Sequence, residues 1–419
     1  MLTECGRGSV VSRLLVLLDE GAVLVRDLLA GVQWCDAVMF AMRDSPAAGN
    51  AGMARFSPLF AEIGDVVSLD DLDAALDRAR RFAPTGVLTF SEALLGLASR
   101  FARELECPFS PPEVVAQLQD KGAQRRALQL AGVDNVRTRY LSSPKDWARA
   151  WQQVGLPLVL KPVIGAGSRH TYLIEDVRAG AVTCREFFGQ AGSTERLVAE
   201  EFLAGRGNGP LADYVSVETV VVAGRIRHLG VTGKLPLLAP FRETGQFFPS
   251  GLMPEEESSV TGLVTAAITA LGLVEGAVHT EVKLTARGPR IIEVNGRLGG
   301  YTNELYSRVL DVDVVELVGR AACGEAVPER LTPHAGAHFQ HCHQPLPSAR
   351  AFVGVDGGPA VARHPAVTGY HRLVEQGDDA AWRLGVLRSG SGLRPNQRPH
   401  RNAQRLARIM RKVNFQFRH

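Results

Sequence analysis

Hydrophobic and polar positions alternate most regularly between His279 and Gly300, which reads HTEVKLTARGPRIIEVNGRLGG. His279–Leu284 and Arg290–Val294 follow a period of two, and Ala286-Arg287-Gly288, backed by Pro289, supplies a turn, so a β-hairpin is predicted. Centring it on Arg287 pairs Lys283 with Ile291, Glu281 with Glu293 and His279 with Asn295. Glu281, Glu293, Asn295 and Arg297 then share one face, while Val282, Leu284, Ile292 and Val294 enter a core. Upstream, Ser258–Leu271 places Val260, Leu263, Val264, Ala267, Ile268 and Leu271 at helical spacing, and Gly272 ends it. Tyr214–Val222 is a strand with Ser216 and Glu218 on one face. Leu197–Leu203 is an apolar strand interrupted by Glu200 and Glu201. Leu156–Val163 carries Lys161 near its end, before the small-residue loop Ile164–Thr171 and a further strand, Tyr172–Glu175.

Residues 1–110 alternate strands (Leu14–Leu18, Ala37–Met42, Gly86–Phe90) with helices (Leu69–Phe82 and Glu92–Leu105). Leu72, Leu76 and Ala79 form one side of the first helix, and the whole is an α/β layer pattern. No G-x-G-x-x-G follows the first strand, which disfavours a dinucleotide site. Ser110-Pro111-Pro112 marks a boundary, after which Asp120-Lys121 opens a polar helix, Gly122–Ala131. Val231–Gly251 reads as a loop-rich aromatic stretch that gathers Lys234, Arg242, Glu243 and Gln246. Tyr301–Leu310 and Asp313–Cys323 are helical, and residues 334–419 read as short strands and a final helix. The expected fold class is α/β (α+β), divided at 1–110, 111–204, 205–330 and 331–419.

A length of 419 residues exceeds what one core accommodates, consistent with that division. The net charge of +3 gives no reason to expect nucleic acid. Arg401, Arg405, Arg408, Arg411 and Lys412, with Leu406, Ile409 and Met410 interleaved, predict a terminal amphipathic helix with a solvated basic face. Six cysteines lack C-x-x-C spacing, and no leader or membrane-length apolar run is found; a soluble cytoplasmic protein with reduced thiols is expected. His338, His341, Cys342 and His343 invite a zinc reading, but their spacing fits no ligand pattern, and polar positions on a strand near a cleft are expected instead. There are six lysines against 41 arginines, so a lysine in a chemically sensible place is informative.

The chemistry begins with Glu281 and Glu293. Opposed carboxylates repel unless a positive charge lies between them. A hard divalent ion, Mg²⁺ or Mn²⁺, answers this, with the Asn295 amide oxygen as a third ligand. Arg297 would aim a fixed charge at whatever the metal holds.

A Glu on one strand followed by Glu-x-Asn-x-Arg on the next resembles the metal hairpin of the ATP-grasp superfamily. The His279-x-Glu281 start and the Gly299-Gly300 ending are most similar to its L-amino-acid (dipeptide) and carboxylate–amine ligases. The segment from Asp120, with Lys121, Arg125, Leu128 and Val133, is similar to the superfamily's DK-x-x-x-R-x-x-L-x-x-x-G-V motif. That resemblance implies an ATP-grasp fold preceded by a Rossmann-like α/β pre-ATP-grasp domain and followed by a β-rich lobe. It implies that Lys121 and Lys161, with the lid residues Gly165, Gly167 and Ser168, hold ATP phosphates. It makes Glu200, Glu201 and Leu203 the linker facing adenine and ribose, and Glu281, Glu293 and Asn295 the ligands of two metal ions. Arg297, Glu243 and Lys234 become catalytic candidates; Arg242, Glu243, Gln246, Gly299 and Gly300 line the substrate. Glu243, Gly245 and Pro249 match the ligases' Glu-x-Gly-His segment, but Gln246 stands where their His would be. The implied reaction joins a carboxylate to an amine through an acyl phosphate. The implied partners are small molecules, amino acids or peptide, with no nucleic acid or membrane; a homodimer is compatible. A ligase for a non-amino-acid metabolite and a non-catalytic ATP-binding protein remain as alternatives.

Overall fold

The structure, a computed structural model, describes residues 11–19, 21–43, 53–165, 167–190, 195–329, 331–333, 336–344, 351–365, 367–372, 385–390 and 414–418. The first sheet contains β1 (Arg13–Leu18), β2 (Ala37–Met42), β3 (Asp65–Ser68) and β4 (Gly86–Thr89), all parallel in the order β3-β2-β1-β4. Both central strands are almost wholly apolar, as a parallel sheet covered on two faces requires. The helix Leu72–Phe82 starts under the Asp71 cap and packs Ala75, Ala79 and Phe82 inward. Leu72, expected on that face, is the first residue of the helix and is 37% exposed.

A second sheet, β5 (Thr138–Leu141), β6 (Leu158–Pro162), β7 (Tyr172–Ile174) and β8 (Leu197–Glu201), is antiparallel in the order β5-β8-β6-β7. Among the described residues the third has eight strands. They are β9 (Tyr214–Val222), β10 (Arg225–Lys234), β11 (Gly245–Phe248), β12 (Gly276–Thr285), β13 (Gly288–Asn295), β14 (His338–His343), β16 (Gly369–Arg372) and β17 (Gly385–Gly390). Their order is β13-β12-β9-β10-β11-β14-β17-β16, while β15 (Ala351–Asp356) pairs separately with β18 (Asn414–Arg418). Three strands from beyond residue 330 thus continue the sheet that carries the hairpin.

The helix Pro254–Ala270 lays Val260, Val264, Ala267 and Ile268 on one face of this sheet, against Val217, Val221, Val278, Val282, Ile291 and Val294. Polar residues are thereby left on the opposite face. The stretch 231–251 is loop-rich as expected, with strand at its start and beyond its middle, since β10 runs through Lys234 and β11 pairs with both β10 and β14. One expectation is corrected here. The chain end is not helical throughout: Asn414–Arg418 is a strand, and the expected basic helix over 401–412 lies outside the described residues. Among the described residues no helix is long and apolar enough to cross a membrane.

Candidate active site

The hairpin forms as the alternation predicts, with one change of register. His279 pairs with Asn295 and Glu281 with Glu293, but a bulge follows, so Lys283 faces Arg290 rather than Ile291. Consequently Ile291, not Ile292, is buried in the core. The physical reason lies in the edge position of β13. The N–H of Ile291 donates to Asp134 Oδ2 (2.9 Å), and Arg125 donates to the carbonyls of Ile291 (2.7 Å) and Ile292 (2.6 Å). Gln124 donates to the Val294 carbonyl (2.7 Å) and accepts from its N–H (3.0 Å). The helix Lys121–Leu130, capped by Asp120, therefore satisfies an edge that would otherwise expose unpaired backbone groups.

Cross-strand register assembles the polar face in rows. One row runs Gly230, Glu218, His279, Asn295; the next runs Thr232, Ser216, Glu281, Glu293. Glu218 accepts from His279 Nδ1 (2.6 Å) and from the Gly299 N–H (2.8 Å), and His279 Nε2 lies 3.5 Å from Glu281. Burial opposes charge on His279, but Glu218 outweighs it and raises its pKa to about 9. A Cβ on Gly299 would stand 2.6 Å from His279 Nδ1, so this glycine is what allows the loop to approach. Glu218 and His279 were not among the expected site residues; their signal in sequence is their position in the same rows as Asn295.

Glu293 is half-buried, yet Lys121 and Lys161 outweigh the cost of desolvation and hold its pKa low, so it stays ionised. Lys121 Nζ lies 3.9 Å from Glu293 and donates to the Gly165 carbonyl (2.7 Å), tying the glycine loop to the hairpin. Gly167, Ser168 and His170 all have positive φ, which makes that loop a tight left-handed turn on the surface. The Asn295 amide nitrogen donates to Glu293 Oε1 (3.1 Å), which leaves its oxygen as the free donor atom. Two opposed carboxylates and an amide oxygen are a hard oxygen set, and these residues fit a divalent magnesium-type ion. Among the described residues no cluster of three His, Cys, Asp or Glu side chains suited to another metal occurs. His338, His341, Cys342 and His343 all lie on β14.

On the linker strand β8, Glu200 and Glu201 point to opposite sides. Glu200 binds Lys161 (2.9 Å) and Arg125 (3.0 Å); despite burial, Arg125 and Lys161 hold its pKa at about 2. Glu201 pairs with Arg137 (3.1 Å) near the surface, and Leu203 follows the strand half-buried. The two acids thus do not act as one group.

A third row crosses β10, β11 and β14 as Lys234, Gln246 and Gln340. Lys234 Nζ, buried, donates to Glu243 (2.9 Å) and Gln246 (3.2 Å). Burial disfavours its charge, but Glu243 and Glu281 push its pKa up, so it is a fixed cation and not a base. Gln246 also donates to the Gly300 carbonyl (2.8 Å) and to Gln340 (2.9 Å). Both ends of its amide are engaged, so it fastens the Gly299–Gly300 loop to the sheet. Arg242, expected beside these groups, has its Nε turned back to the Ala239 carbonyl at 3.4 Å. Arg297 donates Nη1 to the Leu298 carbonyl (2.8 Å), and its Nε lies 3.6 Å from Glu92.

Comparison with known proteins agrees with this architecture. A family model described as an ATP-grasp domain matches residues 130–301. Mouse carnosine synthase 1 is 31% identical over 298 residues, covering 67% of this chain and 34% of its own length. The alanine–anticapsin ligase of Bacillus subtilis is 25% identical over 288 residues, covering 63% of this chain and 60% of its own. The chain therefore spans only about a third to three fifths of these relatives. The crystal structure of an L-amino acid ligase from Bacillus licheniformis superposes with a TM-score of 0.79 at 20% identity, over 97% of this chain and 99% of that one. Residues 130–301 thus match the ATP-grasp family, and the chain's similarities run to proteins named as amino-acid ligases and synthases.

Proposed function

We propose that the protein is an ATP-dependent carboxylate–amine ligase. It activates an amino-acid carboxylate as an acyl phosphate and passes the acyl group to the amine of a second amino acid or peptide, releasing ADP and phosphate. The observation that carries this is the pairing of Glu281 with Glu293 beside Asn295, within reach of Lys121. The names of the relatives, ligases and synthases of small amino-acid compounds, support amino acids as the substrate class.

Glu281, Glu293 and Asn295 would hold Mg²⁺ or Mn²⁺, as two ions, which when bound offset the charge of the phosphates. Lys121 and Lys161 grip the phosphates under the lid formed by Gly165, Gly167 and Ser168. The Arg125–Lys161–Glu200 group carries two cations on one anion, so it retains a positive charge for a phosphate. Glu200, Glu201 and Leu203 belong to the segment beside the nucleotide base and ribose, with Glu200 acting through Lys161. Lid closure excludes the water that would hydrolyse an acyl phosphate. Arg297 orients the substrate carboxylate and stabilises the oxyanion that forms when the amine attacks. Lys234, Glu243 and Gln246, with Arg242 at the rim and Gly299–Gly300 as the floor, shape the amino-acid pocket. Domain boundaries near residues 110, 204 and 330 and a cytoplasmic setting complete the reading; the described cysteines are all free thiols.

The test is phosphate release from ATP and Mg²⁺ over pairs of L-amino acids. Release that requires two partners and yields ADP supports the reading. AMP as product replaces the acyl phosphate with an acyl adenylate, and no release with any pair refutes it.

A further inference from the structure

The amine that attacks an acyl phosphate must first lose a proton, and the residues placed so far are engaged elsewhere. Lys234 is held protonated, Glu243 is paired with it, Gln246 has no basic atom, and Glu281 and Glu293 are assigned to a metal. The N-terminal sheet offers another group. Its order β3-β2-β1-β4 makes the neighbourhood of β1 and β4 a switch point, and open parallel sheets receive ligands in the crevice beyond the C-terminal ends of such strands. The segments leaving β1 and β4 meet there, since the Ala22 N–H donates to the Phe90 carbonyl (3.0 Å). The Gly299–Tyr301 loop closes on them through the Tyr301 N–H and the Ala22 carbonyl (2.8 Å).

Glu92 follows β4 into this crevice. Its backbone carbonyl accepts from Gln119 (2.6 Å), which fixes its position. Its Oε2 is buried, lies 3.6 Å from Arg297 Nε, and makes no hydrogen bond. The neighbouring Ser91 Oγ is buried and unbonded as well. A buried acceptor left unsatisfied is costly, on the order of 1–3 kcal/mol and more when charged, so this corner is suited to receive a hydrogen-bond donor. The charged groups facing Glu92 are Arg297, Glu293, Lys121 and His279.

We propose that Glu92 receives the ammonium group of the amine substrate and accepts its proton, as a catalytic residue of the ligation step. This deepens the ligase reading and rests on it. The Glu92 carboxylate takes one N–H proton; the freed lone pair forms the C–N bond at the acyl carbonyl; the carbon–oxygen bond to the phosphoryl group then breaks, and the departing phosphate carries away the second N–H proton. Arg297, which holds the acyl group, stands beside Glu92, so base and electrophile are adjacent. Burial raises the pKa of Glu92 against the opposing pull of Arg297, which brings the carboxyl closer to the range useful for a base at neutral pH.

Hydroxylamine separates the two halves of the reaction, because it is largely unprotonated at neutral pH and traps an acyl phosphate as a hydroxamate without a base. Wild-type protein, Glu92→Gln and Glu92→Ala are assayed with ATP, Mg²⁺ and the standard L-amino acids, once with hydroxylamine and once with a second amino acid. Variants are first checked for the thermal shift that ATP and Mg²⁺ give the wild type. The expected result is hydroxamate formation within about threefold of wild type and amide formation lower by about 100-fold or more, the usual worth of general-base catalysis. A variant that keeps the thermal shift yet loses both reactions, or neither, overturns the proposal; loss of both would make Glu92 a support for Arg297 or the metal. Wild-type protein that forms no hydroxamate with any amino acid refutes the ligase reading itself, and the role of Glu92 with it.

Discussion

Arg125 is the residue whose loss should be felt most widely, although it touches neither expected substrate. Its guanidinium is buried and makes three bonds: to Glu200 (3.0 Å), to the Ile291 carbonyl (2.7 Å) and to the Ile292 carbonyl (2.6 Å). In Arg125→Met the apolar volume is largely kept while all three donors vanish. Removing one partner of a buried ion pair costs about 3–5 kcal/mol. Lys161 still neutralises Glu200 at 2.9 Å, so the lower end applies, about 3 kcal/mol. Each stranded carbonyl adds about 1 kcal/mol after partial hydration. The total, about 5 kcal/mol, is a large share of a typical folding free energy of about 5–15 kcal/mol. At about 2–4 °C per kcal/mol for domains of this size, the melting temperature should fall by roughly 10–20 °C. Circular dichroism melts of Arg125→Met, Glu200→Gln and the double variant give the coupling, expected at about 1–3 kcal/mol. A melting temperature within about 2 °C of wild type, or a coupling near zero, would refute the account of Arg125 as the clamp between linker and hairpin.

Glu293→Gln should lower ATP-dependent phosphate release by about 100-fold or more and leave the melting temperature unchanged or slightly lower, since Lys121 and Lys161 favour the charged carboxylate; undiminished release would remove Glu293 from the site. Gly299→Ala places a Cβ 2.6 Å from His279 and 2.8 Å from Glu218, so about 1–3 kcal/mol of stability and most activity should be lost, measurable by melting and by phosphate release. Glu200 has a folded pKa of about 2 against an ordinary 4.5, so its contribution is complete above the ordinary value and disappears as pH falls towards 2. This amounts to about 3 kcal/mol, and melting curves from pH 6 down to about pH 2 should be visibly flatter in Glu200→Gln than in wild type.

Local pattern determined a good deal of this protein. The continuous apolar run of β2 and the partly alternating run of β9 delimit both strands to the residue, and the helical spacing of Val260, Val264, Ala267 and Ile268 identifies the face that packs on the sheet. Counting from the turn places Glu281 opposite Glu293 and His279 opposite Asn295. These follow from sequence because side-chain period and short turns are properties of neighbouring residues. What only the tertiary structure decided depends on residues far apart in the chain. The bulge that buries Ile291 in place of Ile292 is held by Arg125 and Asp134, more than 150 positions away. Glu92 reaches Arg297 only because the loops after β1 and β4 dock on the Gly299–Tyr301 turn. Gln246 is locked by Gly300 and Gln340 because β14 returns to the same sheet across the expected boundary at residue 330. No local periodicity encodes such meetings; they follow from how whole sheets stack, and the unsatisfied groups left where they meet mark where chemistry is to be sought.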